Sequence, residues 1–176
     1  MKIVILLAGQ GKRFKKLTLK NHKSLIEIEN SINILKYIEL CLKDIAFKEL
    51  IFVLGHCNKI IKKKIEIYFK KYQKKIKFIY ANDYKNYNSL YSVYSAKNLL
   101  LNNNFLIING DTIFPSTFLK NLIENKNTSI SLQYSRNRID APKVFLNKKN
   151  LIKIDRHSKL KENTNLKFKG FMTGMI

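Results

Sequence analysis

Carboxylates are scarce in this chain: 12 Asp and Glu stand against 34 Lys and Arg in 176 residues, a formal charge of +22. That imbalance leaves no basis for a broadly cationic partner and suits an anionic one, whether nucleic acid, an acidic membrane surface or a phosphorylated substrate. The lysines, however, run through every segment, are rarely interleaved with Arg, and accompany a surplus of Asn, Ile, Phe and Tyr, the residues of A- and T-rich codons. The charge therefore reads as composition as much as surface, and nucleic acid is not the expected partner. Cysteine is nearly absent. Cys41 and Cys57 have no metal-like spacing, and one bridge would mean little in a chain this size, so a reduced, cytoplasmic setting is expected. Long apolar runs are missing too. None approaches the roughly 20 residues of a membrane span, and the opening MKIVILL is too short for a signal peptide and runs into a basic loop. No membrane partner is expected. Internal repeats and low-complexity linkers are also lacking.

What is present is a chain of 45% apolar composition, enough to bury a sizeable core as one domain and to exclude global disorder. KIVILL (2–7) reads as a buried strand. ILKYIELCLKDI (34–45) has its apolar residues at helical spacing, and ELIFVLG (49–55) is a strand ending in glycine. KIIKKKIEIYFKKY (59–72) is an amphipathic helix with a basic outer face, its Lys62–Lys64 cluster reading as solvated surface. KIKFIYA (75–81) alternates like a strand, SLYSVYSAKNLLL (89–101) is helical, and NFLIINGD (104–111) is another buried strand. Strands alternating with helices argue for a parallel, doubly wound sheet in a three-layer α/β/α arrangement. Such sheets bind ligands beyond the carboxyl ends of their strands. AGQGKR, GHCN and NGDT all fall there. Beyond Pro115 the pattern loosens: a short helix (116–125) leads to TSISLQY (128–134), and strands are expected at 143–146 and 151–155. The chain stops inside the apolar run FKGFMTGMI (168–176), which predicts a missing C-terminal element.

Glycines at 9 and 11 let backbone N–H groups converge on an anion with no side chain in the way. Lys12 and Arg13 would neutralise phosphate charge, Arg in bidentate fashion. The loop is neither a Walker sequence nor the dinucleotide fingerprint, whose third glycine is replaced by Phe14. As a bare G-x-G it fits an ordinary turn equally well. Asn109-Gly110-Asp111 alone fits a tight turn capped by Asp, and the Asn- and Ser-rich stretch at 88–95 fits an N-capped helix in which Tyr91 and Tyr94 pack.

The longer stretch LLAGQGKRFKKLTLKNHKSLIEI resembles the signature of the nucleotidyltransferases that couple an NTP to a phosphorylated small molecule. Leu6, Ala8, Gly9, Gly11, Arg13, Leu17, Thr18, Lys23 and Leu25 fall in place. Leu7 departs from it by standing where a small residue is usual, crowding the base site. His22 replaces a proline, altering only the approach to Lys23. YANDYKNYNSLYSVYSAKNLL resembles the subgroup that uses CTP with phosphocholine or similar aminoalkyl phosphates, and 143–174 resembles the acceptor-side sheet.

The resemblance implies one Rossmann-like nucleotidyltransferase domain over 1–176, with an NTP-binding half (1–114) and an acceptor-side part (115–176). It implies transfer of a nucleoside monophosphate, CMP from CTP, to a phosphorylated acceptor with release of pyrophosphate, for decoration of a surface polysaccharide or lipid. Leu7, Ala8, Gly9, Gln10, Gly11, Lys12, Arg13, Lys23, Gly55, Ser89 and Gly110 would bind nucleotide, while Arg13, Lys23 and Asp111 would carry the chemistry. Asp111 would hold Mg²⁺, and Tyr84, Tyr87, Lys159 and Gly174 would meet the acceptor. The family's second metal aspartate would lie after Ile176, and nothing around Asp140 or Asp155 recommends either as a stand-in. Three alternatives stay open: a sugar-1-phosphate nucleotidyltransferase using UTP or dTTP, an inert nucleotide-binding module, and a basic nucleic-acid-binding domain. A homodimer is also left open.

Overall fold

The computed structural model describes residues 1–124, 128–129, 132–133, 143–147, 150–155 and 168–172. The chain divides into two compact units, Met1–Lys126 and Asn127–Ile176. In the first, β1 (Lys2–Leu7) is followed by 3-10 turns over Lys12–Thr18 and Lys23–Leu25, and by a hairpin of β2 (Glu27–Glu29) and β3 (Ile32–Asn33). Then come α1 (Ile34–Cys41), β4 (Glu49–Leu54), α2 (Asn58–Tyr68), a 3-10 turn over Lys70–Lys75, β5 (Ile76–Tyr80), α3 (Ser89–Ser95), α4 (Lys97–Leu100), β6 (Phe105–Asn109) and α5 (Ser116–Glu124).

β5, β4, β1 and β6 form one sheet in that order, every neighbouring pair parallel. β1 and β4 are central and read as near-continuous apolar runs, as strands covered on both faces must. Side chains alternate between the faces. Val4, Leu6, Ala8, Ile51, Val53 and Ile107 pack toward Ala96 and Leu100, on the side of α3 and α4. The other face carries Phe52 against Phe69, ring centroids 5.0 Å apart, with Leu35 and Ile38 of α1 and Ile61 and Ile65 of α2 fully buried. This is the expected doubly wound α/β/α arrangement. From β1 the chain winds outward through β4 to β5, then returns to lay β6 on the other flank of β1. The winding reverses between β1 and β6, and a crevice opens at the carboxyl ends of such a strand pair.

Several boundaries differ from the sequence reading. The helix expected over 59–72 ends at Tyr68 and tightens into a 3-10 turn, whose three-residue period keeps Phe69 and Tyr72 on one side, where Tyr72 meets Phe47 at 5.1 Å. The helix expected over 89–101 breaks at buried Ala96. The β2–β3 hairpin turns through Asn30 and Ser31, both at positive φ (47° and 63°), the backbone of a two-residue primed turn.

The second unit holds β7 (Leu132–Gln133), β8 (Lys143–Asn147), β9 (Asn150–Asp155) and β10 (Phe168–Met172). They form an antiparallel sheet ordered β7-β10-β8-β9. Lys159, Gly174 and Asp140 lie outside the described residues.

Phe52 is fully buried between Phe69 and Phe78. Phe52→Ala is expected to lower unfolding free energy by about 3–5 kcal/mol. Leu101→Ala, at a side chain 66% exposed, should stay within about 0.5 kcal/mol. Urea denaturation of both variants checks the pair.

Candidate functional site

Three consecutive side chains, His22, Lys23 and Ser24, close over the reversal point, and each reaches a different anchor. The Nε2–H of His22 donates to the Leu7 carbonyl at the end of β1 (2.9 Å). The Ser24 hydroxyl donates to the Gly110 carbonyl just past β6. Between them the Lys23 ammonium lies 2.5 Å from Asp111 Oδ2. The Nδ1 of His22 accepts the Ser24 backbone N–H (3.2 Å), so the imidazole caps the Lys23–Leu25 turn. An acceptor at Nδ1 and a donor at Nε2 define one neutral tautomer. Burial lowers the His22 pKa from 6.5 to about 4, outweighing the hydrogen bond to Leu7 that raises it. His22 thus does more than alter the approach to Lys23, the role expected from sequence. It is a fully buried clamp.

The glycine loop is folded back on the same group. Gly11 has φ +65°, a left-handed conformation, and a β-carbon there would lie 3.1 Å from Thr18 and 3.2 Å from Lys23. The Thr18 hydroxyl donates to the Gly11 carbonyl at 3.0 Å. Gly9 lies beneath the Lys23 ammonium. At Gly110 a β-carbon would meet Leu7 Cδ2 at 2.2 Å and the Leu6 carbonyl at 2.8 Å, so only glycine lets the ends of β1 and β6 close this tightly.

A cavity of about 410 Å³ opens there, within the usual range of small-ligand sites. Ala8, Gly9, Gln10, Gly11 and Lys12 form one wall, Lys23 and Asp111 the floor, and Tyr84, Tyr87 and Ser89 the opposite wall. These ten candidates from the sequence are brought together. Four others are not in the lining. Leu7 is fully buried, turned to the face opposite Leu6 and Ala8, so it fills core rather than crowding the cavity. Gly55 and Gly110 lie behind the wall, packed on Ala8 and Leu7 respectively. Arg13 is exposed on the 3-10 turn beside the loop. Leu6, Lys85, Asn88, Ser92 and Asn109 also line the cavity. Ser92 is buried and sits one turn after Ser89 on α3, a spacing that could have singled it out. Ser24 carried no such signal.

Aromatic and acidic groups gather at the mouth. Tyr87 stacks on Tyr91 with centroids 4.8 Å apart, and the Tyr91 hydroxyl donates to Asp83 at 3.4 Å. Asp111 offers one carboxylate beside the cavity, and among the described residues no group of three His, Cys, Asp or Glu could hold a metal. A single carboxylate suits Mg²⁺, which is held by one or two carboxylates together with substrate phosphates and water.

Residues 2–145 match the family described as Nucleotidyl transferase. The chain belongs to that family. The choline-phosphate cytidylyltransferase of Haemophilus influenzae is 31% identical over 113 residues, covering 64% of this chain and 45% of that protein. That of Streptococcus pneumoniae is 26% identical over 130 residues, 74% of this chain and 53% of that protein. The chain thus spans about half the length of the curated relatives it matches. Its fold is shared with the inositol-1-phosphate CTP transferase from T. maritima (TM-score 0.74, 19% identity, covering 99% of this chain and 68% of that one). It is also shared with the CTP:phosphocholine cytidylyltransferase from Streptococcus pneumoniae (TM-score 0.63, 21% identity, covering 99% and 68%). Among the described residues no helix is long and apolar enough to cross a membrane.

In this family member the buried imidazole makes the reversal point acid-sensitive. Its native pKa of about 4 lies below the ordinary 6.5, so below pH 6.5 the unfolded chain takes up a proton that the native state refuses. Stability is present above pH 6.5, falls as pH drops toward 4, and levels off below, an expected loss of about 3 kcal/mol. Thermal melts across that range check it. His22 sits at φ −89°, ψ 138°, near the geometry a proline ring enforces. His22→Pro is therefore expected to fold, to cost about 1–3 kcal/mol at neutral pH through the donor lost to Leu7, and to flatten the acid slope.

Proposed function

We propose that the protein is a cytidylyltransferase, moving CMP from CTP to a phosphorylated small molecule of the phosphocholine type, with pyrophosphate leaving. The observation that carries this reading is the Lys23–Asp111 pair at 2.5 Å beneath the glycine loop. One ammonium and one carboxylate, fixed at the same spot, are the groups a phosphoryl-transfer site needs. The names of the curated relatives favour CTP and choline phosphate.

An oxygen of the acceptor phosphate attacks the α-phosphorus in line as the bond to pyrophosphate breaks. The N–H groups of Gly9, Gln10 and Gly11 cradle the phosphates, with Lys12 at the rim. Lys23 turns from Asp111 to the α-phosphate or acceptor phosphate as negative charge spreads there. Arg13, exposed on its turn, swings over the departing pyrophosphate. Asp111 would hold Mg²⁺, which when bound neutralises phosphate charge. Ala8 and Ser89 border the base, with Gly55 packed behind Ala8 and with Leu7 and Gly110 setting the backbone beneath them. Tyr84 and Tyr87 face the acceptor, a quaternary amine being attracted to aromatic faces. For Lys159 and Gly174, outside the described residues, an acceptor role rests on the sequence resemblance alone. The protein would work in the cytoplasm, supplying an activated headgroup for a surface polysaccharide or lipid.

The test is pyrophosphate release with Mg²⁺, each of the four NTPs and a panel of phosphorylated acceptors. Turnover confined to CTP with an aminoalkyl phosphate is expected. Turnover with UTP or dTTP and a hexose phosphate would instead favour a sugar-phosphate nucleotidyltransferase. Lys23→Met is expected to lower kcat by about 10²–10³-fold with a smaller change in KM for CTP, since its charge acts mainly in the transition state. A raised KM for CTP with kcat unchanged would assign it to ground-state binding. Asp111→Asn is expected to remove the response of rate to Mg²⁺ concentration.

A further inference from the structure

The lysines are not evenly spread over the folded surface. Nine of the chain's 34 basic residues fall in the 19 positions from Lys59 to Lys77, with Glu66 the one acidic residue among them. The outward face of α2 presents Ile60, Lys63, Lys64 and Ile67, an i, i+3, i+4, i+7 spacing that places them on one stripe. All four are exposed, Ile60 by 43% and Ile67 by 63%. The buried stripe is Ile61 and Ile65, so the helix already has its apolar side packed. Ile60 and Ile67 lie off that stripe and stay exposed.

α1 widens the patch. Lys36 and Lys64 both lie over the Tyr68 ring, at 5.6 and 6.0 Å from its centroid. Lys71 joins Lys36 on the buried carboxylate of Glu39, at 3.0 and 2.8 Å. That one carboxylate is shared by two ammonium groups, and Lys63 and Lys64 have no ion pair among the described residues. Ammonium groups surrounding exposed aliphatic side chains are what an anionic bilayer surface attracts: the charges meet lipid headgroups while the aliphatic groups enter the boundary beneath them. Nucleic acid would use the charge but has no use for Ile60 and Ile67, and Arg, its commonest specific reader, is missing from this segment.

We propose that the α1–α2 face is a docking surface for anionic membrane lipid, bound peripherally. α1 and α2 cover the sheet face opposite the one on which Leu6, Ala8 and Ser92 line the cavity. Docking would therefore leave the cavity open to water. This inference is independent of the acceptor or nucleotide.

Co-sedimentation of the protein with vesicles of phosphatidylcholine alone, and of phosphatidylcholine mixed with phosphatidylglycerol, tests it. Binding only to the anionic vesicles, weakened by added salt, is expected. Lys63→Gln and Lys64→Gln should each weaken it about fivefold. Ile60→Ser with Ile67→Ser, at unchanged charge, should weaken it roughly tenfold. A control replacing exposed Lys20, Lys43 and Lys48 by Gln should weaken it less than the Lys63/Lys64 pair does. Circular dichroism melts establish that each variant folds. Equal loss in control and patch variants, indifference to the isoleucine changes, tighter binding to a duplex oligonucleotide than to anionic vesicles, or no vesicle binding would each overturn the proposal.

Discussion

Two strand ends have to be held together before anything in this cavity can be placed. β1 and β6 are neighbours in the sheet but are joined by the longest excursion in the first unit, and their ladder ends at Leu6 and Asn109. Past that point the β1–β6 ladder offers the Leu7 and Gly110 carbonyls no partner, although Leu7 stays in register with Leu54 of β4, and unmet buried carbonyls are costly. His22 and Ser24 satisfy one each. Because these residues flank Lys23, the bonds that close the strand ends also fix the base of the lysine. The ion pair with Asp111, immediately after β6, is the third member of the same clasp. Fold stability and site geometry are here one set of interactions.

The packing under the clasp follows from it. Gly110 must lack a side chain because Leu7 occupies the space a β-carbon would need. Leu7 in turn can be large because strand alternation sends it into the α1–α2 side of the sheet, leaving Leu6 and Ala8 to face the cavity. A small residue at position 7 would open a void beside Gly110. Read along the sequence alone, Leu7 looks like an intrusion on the nucleotide site. In the fold it is core packing behind the cavity, on the other face of the sheet.

Much of this was legible. The buried runs at 2–7, 49–54 and 105–109, separated by helical periodicities, specify a parallel sheet, and three polar stretches at strand ends locate the crevice. Ten of the named candidates line one cavity. What escaped the reading has physical reasons. Ser24 acts through a single hydroxyl on a carbonyl from a residue 86 positions away, a pairing no local pattern encodes. His22 looked like a substitution without consequence because its value lies in two ring nitrogens and in burial, which periodicity does not report. The first half of the 3-10 turn, residues 70–72, reads as a continuation of helix because lysines give no period, and only Phe69 and Tyr72, three apart, mark the change of pitch.

Charge cannot be what singles out this cavity. In a chain of +22 every surface attracts phosphate, and Lys12, Lys23 and Lys85 around the cavity add little to a field already positive. Such a field raises encounter rates without choosing where the anion settles. The Glu39 carboxylate on the α1–α2 face is buried beneath its two lysines; what the cavity has is a partly exposed carboxylate beside an ammonium, next to the glycine loop that Gly11 and Thr18 fold back. The carboxylate is the more selective of the two. It repels a bare phosphate and tolerates one only when a cation comes with it, or when Lys23 leaves it for the anion. A polyphosphate carrying its own divalent ion meets the first condition unaided, whereas a lone anion depends on drawing Lys23 away and leaving the carboxylate unpaired.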